Sequence, residues 1–598
     1  MKTKIILFTC FSIFLSTLIW HLTDANLKIE KYIIFIVLPL FTFVLAKIKL
    51  HPNGSINPIY LLVDNNRMIP ASKQFFISNT LFFFFVIYLI IEFYFLDFPL
   101  FKVDTQHEGN YLVPFQNYQL SGNIWISNYF VHGVSDLFYP ILGLKLFNYS
   151  TIGSFRFSFL LIIFLLKLLS IILANELTKF SNLNKFNKKV FFLLLGISFL
   201  FLINYEIPLN YSPFAARHIF TLAFLVFFIQ FFKVYKKSKN EIIFYFFVSV
   251  ISSSSIIFHT DIGIYLNIVL SLYIFYLSLK KKYYNIFLIL FFILAFWIFL
   301  IISFGLKEII LFFEQFLLTI KNIEKIHGAE YQYPSPFFSI GSKDGMRATR
   351  GLIMQITAGI FIFNYIISKN NYPNNYKIFF LFLYILSFLS FFNALGRADS
   401  YHMKISSGLP IIINIFFLLH FAIKKLDLNF YINYKIQLKQ RILYIFTLLL
   451  LIIFIIFNTN FIKNINFVFN KDYKQYFSIK DDFFLDNETS DFIKFYSKIS
   501  SNDRCIQNFT DDLILNFLLK KPSCTKYFSS IFAVTPELQE DYVRELIVAN
   551  PQYIIYKSEK FKIDNKHPAE KLTIINNYIL SNYKQRTVIN NYEIFIKK

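Results

Sequence analysis

The sequence predicts a mostly α, polytopic membrane protein of about 13 transmembrane helices, with a small extracytoplasmic α/β domain at its carboxy-terminal end. Three observations predict it. The chain of 598 residues is 56% hydrophobic and 21% aromatic but only 16% charged, too apolar for an ordinary soluble protein of several domains. Mostly apolar runs of about 20 residues, the length that crosses hydrocarbon, recur along most of the chain. After Asn460 those runs shorten, and helix and strand signals alternate. The 82 Phe against 16 Gly, with 17 Pro and 3 Cys, exclude collagen-like, low-complexity and disulfide-framework classes. A net charge of +23 does not point to nucleic acid. The basic residues lie between apolar runs instead of forming one patch, as cytoplasmic loops and anionic lipid head groups require.

The predicted spans centre near Phe11, Phe35, Phe84, Ile162, Leu194, Phe224, Phe247, Val269, Phe291, Thr357, Leu383, Ile413 and Leu450. Lys2 and Lys4 precede the first, whose long apolar stretch ends in Ile19, Trp20 and His21 with no small-residue cleavage site. It reads as an uncleaved signal anchor. With Met1 in the cytoplasm, the cytoplasmic connections are Lys47 to Lys73, Lys179 to Lys189, Lys233 to Lys239, Lys280 to Lys282, Lys369 to Lys377 and Lys424 to Arg441. Together with the amino terminus they hold about 24 Lys and Arg, against about 14 in and around the outer loops. The chain then divides into amino-terminal transmembrane helices (1–98), a first large outer loop with an acidic motif (99–153), a transmembrane core (154–459) and the extracytoplasmic domain (460–598). The expected location is the inner, cytoplasmic membrane, with membrane lipids as partners.

In the tail, Asp491 to Ile499 and Asp511 to Lys520 read as short amphipathic helices, and Thr535 before Pro536 reads as an N-cap. Tyr553 to Tyr556 is a strand signal, and Thr587 to Ile596 pivots on Asn590 and Asn591 as a hairpin. Cys505 and Cys524 either form a disulfide on the oxidising side or stay as two buried thiols, since spacing alone does not fix the geometry. Cys10 reads as a small apolar residue of the first span.

The unusual ionisable residues collect on the outer face. The first large outer loop holds Asp104, Thr105, Gln106, His107, Glu108 and Gly109, then Asn128, Tyr129, His132, Gly133 and Asp136. Two carboxylates and an imidazole within five residues can bind a metal, act as general base or orient a sugar hydroxyl, and they can equally be a solvated loop start. Glu206 and Asn210 lead to Arg217 and His218 at the start of a span, and His259 and Asp261 occupy a very short turn. The loop from Leu306 to Arg350 opens with an amphipathic stretch, Ile309 to Ile323, suited to lying in the interface, and ends with Lys343, Asp344, Arg347 and Arg350. Gly396, Arg397, Ala398, Asp399, Ser400, Tyr401 and His402 fill another short turn. Arg and Lys at an apolar boundary suit phosphate oxygens, although Arg217 and Arg350 at helix ends can also simply reach for the interface. His259 can satisfy a backbone carbonyl, and Lys167, deep in an apolar run, reads as reaching the cytoplasmic interface in preference to pairing with a carboxylate. There is no Walker loop, HExxH helix, GxSxG elbow or repeat of broken helices.

On these residues the chain resembles the GT-C fold integral membrane glycosyltransferases, which take sugars from polyprenyl-phosphate carriers. Asp104-Thr-Gln-His-Glu-Gly109, followed by Ser121-Gly122, Asn128-Tyr129-Phe130 and His132-Gly133, resembles the D-P-H-H-D-G opening of a bacterial branch of that superfamily. Ala394-Leu-Gly-Arg397-Ala-Asp399-Ser-Tyr-His402 resembles the later L-G-R-S-D-x-x-H turn. The acidic loop here follows the third predicted span, where better-known members have it after the first, which implies two additional amino-terminal helices or a different family. The resemblance implies an inverting transferase of the cell envelope. Its donor is a polyprenyl-phosphate-sugar, and its acceptor is a lipid-linked glycan, surface polysaccharide or protein. Asp104 then deprotonates or orients the acceptor hydroxyl, and His107 and Glu108 position the acceptor or, in metal-using members, share a divalent ion. Arg397, Arg217, Arg350 and Arg347 are the phosphate candidates, His402 and His218 the hydrogen-bonding ones, and Glu206 and Asp399 complete the substrate-binding set. A polysaccharide polymerase or ligase, and a non-enzymatic lipid-glycan transporter or flippase, are the alternatives; the last predicts polar residues along a path through the bilayer.

Overall fold

The computed structural model describes residues 78–181, 183–207, 212–233, 241–327, 336–337, 342–367, 374–396, 400–428, 473–558 and 567–598, with Cys10, Ile13, Phe14 and Thr17. The expected spans near Phe35 and Leu450 lie outside the described residues. In chain order the membrane region contains α1 (Asn79–Phe95), α2 (Gly109–Ser121), α3 (Ser135–Phe147), α4 (Ile152–Thr178), α5 (Lys185–Leu200), α6 (Ile219–Phe228), α7 (Glu241–Phe258), α8 (Thr260–Leu279), α9 (Tyr283–Phe304), α10 (Leu306–His327), α11 (Lys343–Ile367), α12 (Asn374–Leu395), α13 (Ser400–Ser406) and α14 (Gly408–Leu428). Among the described residues, 7 helices are long and apolar enough to cross a membrane, and Asn79–Phe95 and Ala216–Phe232 are shorter apolar helices. The protein is thus a multi-pass membrane protein. A helix is the form these apolar runs take because hydrocarbon offers no partner to an open N–H or C=O.

The ends of the helices are set locally. The Ser78 hydroxyl caps α1, and Thr151 and Ser154 form a reciprocal capping box on α4. Left-handed Gly122 and Asn148 close α2 and α3. Helix α4 is central, with 67% of its apolar window buried, whereas α9 is peripheral, with 11%. Lys167 on α4 does not reach for the interface as expected. Its ammonium pairs with Glu92 of α1 at 2.8 Å and lies over the Tyr205 ring. A buried ammonium needs a carboxylate partner, and Glu92 on the neighbouring helix supplies it.

The carboxy-terminal unit is a four-stranded sheet between helices. Strands β1 (Gln507–Asn508), β2 (Tyr553–Ser558), β3 (Tyr583–Ile589) and β4 (Tyr592–Lys597) run in the order β1-β2-β4-β3, with β1 parallel to β2 and the other pairs antiparallel. Alternation along β2 sends Tyr553 and Ile555 toward α15 (Asn487–Ile499), where Phe492 and Tyr496 meet them. Ile554 and Tyr556 lie on the other face, where the Phe509 ring stands 6.2 Å from Tyr556 and 6.4 Å from Tyr542 of α16 (Pro536–Ala549). The Thr535 hydroxyl caps α16, and Asn590 at φ 49° makes the β3–β4 turn. The expected helix over Asp511 to Lys520 shrinks to Leu515–Leu518. Asn508 accepts from the Thr510 backbone and Thr510 from the Asp512 backbone, and such local turns compete with helix. Cys505 and Cys524 are disulfide-bonded.

Residues 99–134 are held between this unit and the membrane helices. The Val103 N–H donates to Phe484 O at 2.9 Å, Ile514 N–H to Thr105 O at 3.0 Å, and Tyr129 N–H to Lys526 O at 2.8 Å. The Ser523 N–H donates to the Asn117 side chain at 2.9 Å. Gly109 permits the approach, since a Cβ there would sit 2.7 Å from the Ile514 nitrogen. The side of the first large loop is therefore also the side of the carboxy-terminal unit.

Candidate functional site

Two polar centres bracket the start of α2. The first is the acidic turn. Asp104 accepts from the backbone N–H groups of Gln106 at 3.2 Å and His107 at 2.9 Å, and its second oxygen meets His107 Nδ1 at 2.8 Å. The Asp104 and His107 side chains are 31% and 36% exposed, so the pair is open to solvent. Burial pulls the Asp104 carboxyl upward, but the His107 hydrogen bond and charge outweigh it and hold the group below its usual range. It is a carboxylate at neutral pH. Glu108 is placed differently from the expectation that it faces an acceptor. Its oxygens take Arg156 Nη2 at 2.7 Å and Nε at 2.8 Å, both side chains are 0% exposed, and it also accepts from the Asp104 N–H at 3.0 Å. Arg156 further donates to Pro99 O and Phe101 O. Glu108 and Arg156 thus fix the turn that displays Asp104. Among the described residues no group of three or more His, Cys, Asp or Glu side chains gathers as a metal site; Asp104 and His107 offer two donors.

The second centre surrounds Arg217. Arg217 sits in the turn Ala216–His218 that starts an apolar helix. Its Nη1 donates to Asp261 at 3.1 Å, and its guanidinium lies 5.6 Å from the centre of the Tyr401 ring. Asp136 and the Tyr111 hydroxyl are within electrostatic range of it. Main-chain bonds bring Asp136 and Asp261 together. The Val134 N–H donates to Ile257 O at 2.8 Å, and Thr260 N–H to His132 O at 3.1 Å, so the first turns of α3 and α8, carrying Asp136 and Asp261, are joined. Gly133 is required at this seam: its φ is 104°, and a Cβ would fall 2.6 Å from Phe258 O. Tyr111, three residues beyond Glu108 and so about 4.5 Å along the helix, faces this centre.

Burial drives the Asp136 carboxyl up to about 7, against the opposing pull of Arg217 and a Ser135 hydrogen bond. Its pKa is therefore higher folded than unfolded, so the fold binds the proton more tightly and loses stability as pH rises between the two values. Wild-type protein is expected to lose more melting temperature between pH 5 and pH 8 than Asp136→Asn; equal losses would contradict the assignment.

The remaining expected site residues are scattered. His218 is buried beside Arg217, with Nδ1 3.3 Å from the Thr221 hydroxyl. His402 follows Tyr401 on α13, with the two rings 5.4 Å apart. Glu206 is half-buried in the stretch after α5. Arg347 pairs with Asp344 on its own helix at 3.0 Å, and Arg350 is buried on α11. Arg397 and Asp399 lie outside the described residues. Asp136, Asp261, Tyr111 and Tyr401 join Arg217 although the sequence reading did not select them as site residues. Their signals were the His-Gly pair before Asp136 and the shortness of the turn at Asp261.

No family model matches the chain, and no curated protein does. Among solved structures, ArnT from Cupriavidus metallidurans bound to undecaprenyl phosphate is similar at 10% identity and TM-score 0.41, over 87% of this chain and 98% of that one. The archaeal oligosaccharyltransferase AglB from Archaeoglobus fulgidus, in complex with an inhibitory peptide and a dolichol-phosphate, is similar at 11% identity and TM-score 0.44, over 87% of this chain and 75% of that one. Similarities this distant carry over no residue, substrate or mechanism.

Proposed function

We propose that the protein is a GT-C fold glycosyltransferase that moves a sugar from a polyprenyl-phosphate donor to a glycan, lipid or protein acceptor on the outer face of the inner membrane. The observation that carries this reading is Arg217, a cation at the start of an apolar helix among Asp261, Tyr401, Asp136 and Tyr111. Such a group suits the phosphate of an amphiphile whose chain lies in the bilayer. The oxidising side proposed for the carboxy-terminal unit agrees with its disulfide.

In this reading the acceptor hydroxyl oxygen attacks the anomeric carbon, and the bond from that carbon to the phosphate oxygen breaks with inversion. The hydroxyl proton passes to Asp104, already ionised and aligned by His107. The negative charge that grows on the departing polyprenyl phosphate is met by Arg217, with Arg397, Arg350, Arg347, His218 and His402 as further contacts and Glu206 and Asp399 toward the sugars. Glu108 acts through the turn it fixes.

Asp104→Asn keeps the turn but removes the proton acceptor. In a deletion strain, wild type is expected to restore a missing sugar in the surface-glycan profile and Asp104→Asn to leave it missing. Restoration by both would remove Asp104 from the mechanism.

A further inference from the structure

Helix α10 presents an apolar stripe that no described residue covers. Leu306, Ile310, Phe313, Leu317 and Ile320 are 59%, 47%, 41%, 63% and 40% exposed, and their alternating spacing of four and three lines them up on one face. The opposite face is buried and bonded to the first large loop. There Glu308 accepts from the Trp125 N–H at 2.7 Å, Gln315 donates to Trp125 O at 2.8 Å and Asn128 O at 3.2 Å, and Thr319 meets the Tyr129 hydroxyl at 3.1 Å. At its far end Lys321 pairs with Glu537 of the carboxy-terminal unit.

The stripe follows directly on the exposed apolar surface of a candidate span. Helix α9 is long and apolar enough to span and is the least buried of the candidate spans. Phe299 and Ile302 near its end are 61% and 78% exposed. Gly305, at φ 88°, then turns the chain into α10. Helix α10 is not among the candidate spans. Exposed Lys307, Glu314, Lys321 and Lys325 run beside its stripe, the arrangement of a helix lying in an interface.

We propose that α10 lies flat in the bilayer surface on the side of the carboxy-terminal unit, with its stripe in the upper acyl chains, and that this lipid contact sets the height of the first large loop. One face reads the membrane and the other holds Trp125, Asn128 and Tyr129, so the loop bearing Asp104 and Asp136 is tied to the plane of the lipid head groups. The inference stands apart from sugar transfer, and its test needs no substrate.

The test uses the full chain with Cys10→Ser, so that Cys505 and Cys524, bonded to each other, leave no native thiol free. Ile310→Cys, Leu317→Cys and, as a spanning reference, Ile302→Cys are each labelled with bimane and reconstituted in phosphatidylcholine vesicles brominated at carbons 6,7 or 11,12. Positions 310 and 317 are expected to be quenched more strongly by the shallow bromines, at equal depth. No quenching at either position, with position 302 quenched, would overturn lipid contact. A depth difference approaching the axial separation of about 10 Å would overturn the flat orientation. Leu317→Glu tests the coupling: amide hydrogen exchange at residues 123–129 is expected to quicken at least tenfold in vesicles, and unchanged exchange would refute a link from lipid to loop.

Discussion

Arg217→Ala is expected to cut sugar transfer by about 100-fold or more, because removing one group that stabilises developing charge in the transition state costs about 3 kcal/mol. The loss has two sources. Developing phosphate charge is left without its cation, and Asp261, bonded to Arg217 at 3.1 Å, is left without its partner. The double variant Arg217→Ala with Asp261→Asn separates them. It relieves the stranded carboxylate, so thermal stability should recover while transfer stays low. Arg217→Lys keeps the charge but loses the planar fork, so it should fall between the two. Near-normal turnover in Arg217→Ala would remove this centre from phosphate binding.

Arg156→Met is expected to destabilise the protein by about 3–5 kcal/mol, since it leaves the Glu108 carboxylate buried and unpaired. Both side chains are 0% exposed, so solvent does not screen the pair. Glu108→Gln should cost less, because an amide still accepts from the Asp104 N–H. Pairing Arg156→Met with Glu108→Leu should recover much of the loss, as apolar replacement of a buried pair often does. Melting of the purified variants in detergent checks the ranking. An Arg156→Met protein that melts with wild type would show that the pair does not hold the turn.

The membrane architecture was legible because it rests on local signals. A run of apolar residues must become a helix in hydrocarbon, and the described helices α4, α7, α8 and α9 fall where the runs are. The hairpin at Asn590 and the cap at Thr535 were legible for the same reason. Pairings across the chain were not. Lys167 has Glu92 as its partner 75 residues away, and Glu108 has Arg156 48 residues away; composition gives no hint of either. The acidic motif correctly marked a loop at the start of α2, yet only the fold shows that one of its carboxylates is open while the other is locked. The Arg217 centre draws on α2, α3, α8 and α13, and the main-chain bonds that join the starts of α3 and α8 carry no side-chain signature.

The measurement that tests the central claim most directly is the binding of undecaprenyl phosphate to purified wild type and to Arg217→Ala with Asp261→Asn, in lipid nanodiscs by native mass spectrometry. The account predicts saturable binding to wild type and at least tenfold weaker binding to the folded double variant. Equal affinity in the two proteins, or none in wild type, would contradict it.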